Sequence, residues 1–306
     1  MKTSKKLLCL GLVLCMVLSL AAFAAPAASA ASAATLHIAT KPMTEQYILG
    51  EMLKQLIEAK TDFKCEITKG IGGGTSNIMP AMKSGEFDLY PEYTSSGYVL
   101  VLGHDAKGVD DEAMWEQLLT EYHDQFGMTW LAHYGFNNTY CLTVRGEVAR
   151  EYGLKTCSDM TAVADRLIFG GNPDYIERAD GFGAVCETYS YSFKEIKSID
   201  IGLKYAALEN KSIDVTNGYT TDAQLGVQDV IALEDDLHLQ VNYFCSTVVR
   251  EDSLQSHPGL QEALMLMDGL LSDQEMAKLN AAVEVDGKDE AAVAHDYLVA
   301  KGILSA

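Results

Sequence analysis

From residue 36 onward, short apolar runs alternate with stretches in which apolar side chains return every three or four positions, the pattern of strands feeding amphipathic helices. Leu36-His37-Ile38-Ala39 reads as a buried strand. Behind it Ile48, Leu49, Met52, Leu53, Leu56 and Ile57 share one helical face, with Thr44 as the expected N-cap. Phe63 to Thr68 is the second strand, and GIGGGTS (70–76) turns it into a helix running to Lys83, capped by Thr75 or Ser76. Phe87 to Tyr90 is the third strand; it runs into PEYTSS, where Pro91 fits a strand end. Glu112 to Phe126 carries Trp115, Leu118, Leu119 and Tyr122 at core spacing and stops at Gly127. The rhythm then repeats. Polar Asn137, Asn138 and Thr139 feed the strand that follows Tyr140, Ser158 is the expected cap of a helix bearing Met160 and Val163, and Leu167 to Phe169 is the next strand. A helix over Leu203–Asn210 precedes strands at Val230–Leu233 and Ser246–Arg250, the latter entered through Gln240-Val241-Asn242-Tyr243. The end is helical: Pro258–Leu271, a capping box at Ser272 and Glu275, and a last helix from Asp289 to Gly302, in none of which chemistry is expected.

One segment occurs twice. GEFDLYPEYTSS (85–96) is echoed by KSIDVTNGYTT (211–221), with Ala81, Asp88, Leu89, Tyr93 and Thr94 falling on Ala207, Asp214, Val215, Tyr219 and Thr220 at one constant offset. A strand ending in Tyr-Thr, once in each half, predicts two α/β lobes with matching rims. Ligands of open α/β sheets sit beyond the carboxyl ends of strands, so Tyr93 and Tyr219 are expected on opposite walls of one cleft. The polar passages at 137–139 and 240–243 are the expected crossovers. The fold class is therefore α/β, two lobes joined by two interlobe crossovers. Residues 36–138 and 245–306 are assigned to lobe 1, and 139–244 to lobe 2.

Residues 1–30 read as an export signal. Lys2, Lys5 and Lys6 precede an apolar run, and Ala28-Ser29-Ala30 has the small-x-small form that a signal peptidase cuts after. An uncleaved anchor is the competing reading, and Cys15 lacks the small residues before it that lipoprotein processing needs. Export places the protein in the periplasm or on the outer face of the cell membrane.

The net charge of −20 becomes −23 once the three leader lysines are removed, which argues against nucleic acid as a partner. Five cysteines follow the leader, Cys65, Cys141, Cys157, Cys186 and Cys245. An odd number leaves at least one unpaired, and with no C-x-x-C or Cys/His cluster they are taken as small buried hydrophobes, with one disulfide left open. There is no G-x-S-x-G elbow or H-E-x-x-H pair, and the seven histidines are scattered, so neither an enzyme nor a metal or other cofactor is expected. The glycine loop lacks the Lys-Ser/Thr of a phosphate loop. Lys41 beside a helix start points to an anionic partner and Arg178 on the glycine-rich rim DYIERADGF is a candidate carboxylate clamp, although taken singly an ordinary surface lysine and a surface salt bridge are the more frequent explanations.

Taken in order, KPMTEQYILGEML, GIGGGTS, GEFDLYPEYTSSG, NNTYCLTVR, DYIERADGF, DIGLKYAAL and VTNGYTTDAQ resemble the glycine betaine/choline/carnitine-binding proteins of osmoprotectant ABC importers. The resemblance covers essentially residues 36 to 304. It implies a two-lobe periplasmic-binding-protein fold (type II-like) and a cage of four tyrosines for a quaternary ammonium, matched here by Tyr93, Tyr140, Tyr219 and Tyr243. It also implies carboxylate or polar contacts at Lys41, Arg178, Ser96 and Gln46, with Ser96 standing where Thr is usual. It further implies a monomer that hands its small-molecule quaternary amine to membrane permease and ATPase subunits. A binding protein or sensor domain of the same fold for another zwitterion, such as an amino acid, is the alternative.

Overall fold

A computed structural model describes residues 35–305 apart from 107 and 178–180, so the leader and Arg178 lie outside the described residues. Ten strands form two five-stranded sheets. The first contains β1 (Thr35–Ala39), β2 (Lys64–Thr68), β3 (Leu89–Tyr93), β4 (Met128–Asn137) and β10 (Phe244–Arg250), in the order β2-β1-β3-β10-β4. The second contains β5 (Tyr140–Arg145), β6 (Ile168–Gly171), β7 (Glu195–Ser198), β8 (Val215–Tyr219) and β9 (Val230–Ala232), in the order β7-β6-β8-β5-β9. Both orders are one pattern. Three parallel strands are followed by two added antiparallel to their neighbours, and the fourth strand comes from beyond a crossover.

Alternation along the strands explains the layering. Ile38 and Leu89 face a cluster built on Ile48, Leu49, Met52 and Leu53 of α1 (Thr44–Lys60). Their neighbours Ala39 and Tyr90 face another, containing Met79, Met82, Tyr122 and Trp130. The second sheet is likewise covered on both faces, by clusters around Phe169 and Leu208. Burying both faces of a sheet is what parallel pairing through helical connections requires.

The echoed segment occupies equivalent places, β3 and β8. Its aspartates are structural: Asp88 Oδ2 accepts from the His37 amide at 2.7 Å and Asp214 Oδ2 from the Ile168 amide at 2.8 Å, closing the open end of the adjoining strand in each sheet. Its threonines tie each sheet to a crossover. Thr220 Oγ1 donates to the Asn137 carbonyl, the Thr220 amide donates to the Thr139 carbonyl at 3.0 Å, and Thr94 Oγ1 donates to the Asn242 carbonyl at 3.5 Å. A third connection joins the two sheets' helices: α4 (Ala223–Val227), which follows β8, packs on α5 (Asp273–Glu284) at the first sheet.

Several local expectations shift. Thr44 is the first helical residue rather than the cap, which is Met43. The helix expected to start at Ser158 is capped by Thr156, whose hydroxyl accepts from the Asp159 amide while the Asp159 carboxylate accepts from Thr156. Thr75 caps nothing, because its hydroxyl donates to Glu92 at 2.7 Å. Pro258–Leu271 is broken into a helix over Leu260–Leu264 and a 3₁₀ turn at Met265–Met267. The Ser272–Glu275 box and the Asp289 cap form as expected.

Candidate functional site

Tyr93 and Tyr219 end the middle parallel-facing strands of the two sheets, and Tyr140 opens β5 directly opposite Tyr219 in the ladder. That register stacks the second pair: the Tyr140 and Tyr219 rings lie 4.8 Å apart at 31°, with their hydroxyls 3.2 Å apart. Tyr243 precedes β10 on the return crossover, where its amide donates to Asn137 Oδ1 at 2.7 Å and its carbonyl accepts from the Asn138 amide at 3.1 Å. All four rings line one cavity of about 370 Å³. Tyr93 is buried and the other three are half-buried. Asn138, Thr221, Asp222, Asn280 and Glu45 complete much of the wall.

Two ion pairs lie against these rings, one buried and one half-buried. Lys41 is paired with Glu92, and its ammonium sits 4.6 Å from the centre of the Tyr93 ring. Glu92 is fully buried and also accepts from the Thr75 hydroxyl at 2.7 Å, the Tyr90 hydroxyl at 3.2 Å and the Tyr93 amide at 2.6 Å. On the other side Lys204 meets Asp222 at 3.0 Å, 5.6 Å from the Tyr219 ring centre. Asp222 also accepts from the Tyr219 amide at 3.1 Å and the Tyr205 hydroxyl at 2.5 Å. Each strand-end tyrosine thus has a neutralised ion pair against it. Burial, and after it the Glu45 charge, hold the Tyr93 phenol well above its ordinary pKa, so it acts as a neutral donor.

The polar residues expected with the cage are placed differently. Lys41 is not on the cavity wall, because Glu92 draws its side chain beneath Tyr93. Gln46 is fully buried on α1; its Oε1 accepts from the Lys41 amide at 3.4 Å, and it too is off the wall. Ser96 is half-buried in the helical turn Thr94–Ser96 after Tyr93 and does not line the cavity. The sequence reading passed over Glu45, Asn280 and Asp222. Glu45 is 2 % exposed, and Tyr93 donates to it at 2.5 Å, Asn138 at 3.0 Å and Asn280 at 3.4 Å. Asn280 comes from α5, in the C-terminal region where no chemistry was expected, and also donates to the Thr221 carbonyl at 2.9 Å. An acid in a first helical turn ordinarily complements the helix dipole, so nothing in its position alone marked Glu45 as facing a cavity.

Two α/β sheets of one topology, joined by two crossovers around an aromatic-lined cavity, define a solute-binding protein. Residues 34–300 match the family described as the substrate binding domain of ABC-type glycine betaine transport systems, and the chain belongs to that family. It is the substrate-binding component of an ABC transport system. It is 36% identical over 266 residues to an ergothioneine transport permease/ergothioneine binding protein of Helicobacter pylori, covering 87% of this chain and 47% of that one. The chain thus spans about half the length of that relative. A carnitine transport binding protein of Listeria monocytogenes is 34% identical over 266 residues, 86% of each chain. A crystal structure titled as a glycine betaine/carnitine/choline ABC transporter superposes with a TM-score of 0.82 at 28% identity, covering 88% of this chain and 99% of that one.

Proposed function

We propose that the protein captures a quaternary ammonium osmolyte in the cage formed by Tyr93, Tyr140, Tyr219 and Tyr243 and delivers it to the permease and ATPase of an ABC importer. The observation that carries this reading is the convergence of the four tyrosines, from two sheets and a crossover, on one cavity wall. A trimethylammonium group has no N–H to offer, so hydrogen bonds cannot select it. Aromatic faces can, at about 0.5–2 kcal/mol per contact. Because Tyr93 stands on one sheet and Tyr140 and Tyr219 on the other, the full set of contacts depends on the angle between the sheets, and binding selects the arrangement that the membrane partner reads.

Glycine betaine is the favoured ligand, with carnitine and choline in the same class; the relatives named for ergothioneine and carnitine extend the panel to bulkier betaines. With the Lys41 ammonium committed to Glu92, Arg178 is the carboxylate contact of this reading. The protein acts outside the cytoplasm as a monomer, exported by its leader. Calorimetric titration with glycine betaine, carnitine, choline, ergothioneine and proline tests it: a quaternary amine must bind and proline must not. Binding of proline alone would replace it with the amino-acid reading.

A further inference from the structure

Resting on the quaternary-ammonium reading, we propose that Glu45 is the counter-ion of the bound cation and the residue by which the site discriminates ligand charge. The charged side chains on the cavity wall among the described residues are Glu45, Asp222 and Glu284. Asp222 is neutralised by Lys204, and Glu284 is exposed on the rim. Glu45 differs from both. It is buried beside the cage, and its partners are Tyr93, Asn138, Asn280 and Thr221, all of them neutral donors.

Two comparisons within the molecule give this arrangement its meaning. The one other fully buried carboxylate among the described residues, Glu92, has Lys41 as its cation, and the half-buried Asp222 and Asp214 have Lys204 and Arg145. A buried carboxylate whose partners are only neutral donors keeps its charge at a cost, because hydrogen bonds replace lost hydration incompletely. Burial accordingly pushes the Glu45 carboxyl up, against the pull of its four donors. The donors in turn suit the ionised form. Tyr93, Asn138 and Asn280 each present a hydrogen, which a carboxylate accepts and a protonated acid could not accept on all sides. The site therefore holds a charge that an arriving cation would compensate. An ammonium seated against Tyr93 is within one side chain of the Glu45 oxygen bound to that ring's hydroxyl. A zwitterion gains from Glu45 when its cationic end enters first and its carboxylate points away; a neutral molecule of the same shape gains nothing.

The test is calorimetry near neutral pH with choline, glycine betaine and 3,3-dimethylbutan-1-ol, the uncharged carbon isostere of choline, the weakest of them by competition. Glu45→Gln keeps the size of the side chain and an oxygen to accept from Tyr93 and Asn138. It should weaken choline about 30-fold, the order expected of two unit charges some 6 Å apart in a half-buried site, while changing the isostere by less than about threefold. Glu45→Asp, which retains the charge, and Tyr93→Phe, which retains the ring and removes the hydroxyl bond, should both keep the preference for choline over the isostere. Equal weakening of all three ligands in Glu45→Gln, or loss of the preference in Tyr93→Phe, would overturn the proposal and leave Glu45 only a prop for Tyr93. Failure of every quaternary amine to bind the wild type would overturn the reading of the cage, and this inference with it.

Discussion

Gly226 shows how closely the two sheets' helices approach. A Cβ at this position would lie 2.9 Å from the Ala277 carbonyl oxygen, 3.0 Å from its carbon and 3.0 Å from Lys278 Cα. These are backbone atoms of α5, and Met276 and Ala277 beside them are fully buried, so the obstacle cannot swing aside. Ordinary van der Waals contact begins near 3.4 Å, so Gly226→Ala must separate α4 from α5 by about half an ångström, and Gly226→Val by more. The displacement falls on the site. Asp222 precedes α4 and holds the Tyr219 amide, and the Asn280–Thr221 bond ties α5 to the turn that enters α4. Overpacking of this kind costs about 1–3 kcal/mol. Charged against the binding-competent arrangement, that lowers affinity about five- to 150-fold. Calorimetry with the tightest quaternary amine should show the loss increasing from Ala to Val, with the melting temperature falling only a few degrees, because Gly226 itself lies outside the core clusters of both sheets. Wild-type affinity in both variants would refute the claim that this contact sets the geometry of the cavity.

Lys41→Met should destabilise the fold by about 3 kcal/mol in urea unfolding, because it leaves Glu92 buried without its cation; adding Glu92→Gln should restore more than half. A lysine that served only as a ligand contact would instead leave stability unchanged. Glu275 accepts from Lys301 at 2.7 Å and closes the Ser272 box, and these partners hold its carboxyl down at about 2 against an ordinary 4.5. Its contribution is present above about pH 4.5 and is lost as pH falls toward 2. Discounted for a side chain one-third exposed, Glu275→Gln should cost about 1 kcal/mol at pH 7 and nothing at pH 2, read from acid titration of the two proteins. Among the described residues all five cysteines are unpaired. Burial pushes Cys65, Cys141 and Cys157 up to about 12 and Cys186 up to about 11. Mass spectrometry after brief iodoacetamide treatment at pH 8 should find these thiols unmodified in the native protein and modified after unfolding.

What the chain disclosed depended on how far apart the partners are. The strands, the long helices and the doubled Asp-to-Thr segment are written in local periodicity, and the constant offset between Tyr93 and Tyr219 is the equivalence of β3 and β8 seen in one dimension. Lys41 and Gln46 drew notice because a polar residue near a helix start has a local rationale. The placement of the Lys41 side chain away from the cavity depends on Glu92, 51 residues further on, which no spacing rule connects to it. Asn280 meets Glu45 across 235 residues, so its helix looked like plain packing. Caps failed where a tertiary acceptor competed: Thr75 serves Glu92, and the pair Thr156 and Asp159 outcompetes Ser158 because it satisfies two amides at once.

The cage itself is tested most directly by calorimetric affinities for glycine betaine and choline in wild type, Tyr219→Phe and Tyr219→Ala. Tyr219 has its ring in the cavity wall, its hydroxyl 3.2 Å from that of Tyr140 and its backbone amide on Asp222, so its ring can be removed without breaking the hinge bonds made by Thr220. A cation–π contact of about 0.5–2 kcal/mol predicts that Ala loses about two- to 30-fold while Phe, which keeps the ring, stays closer to wild type. Wild-type affinity in Tyr219→Ala, or equal loss in Phe and Ala, would contradict an aromatic cage.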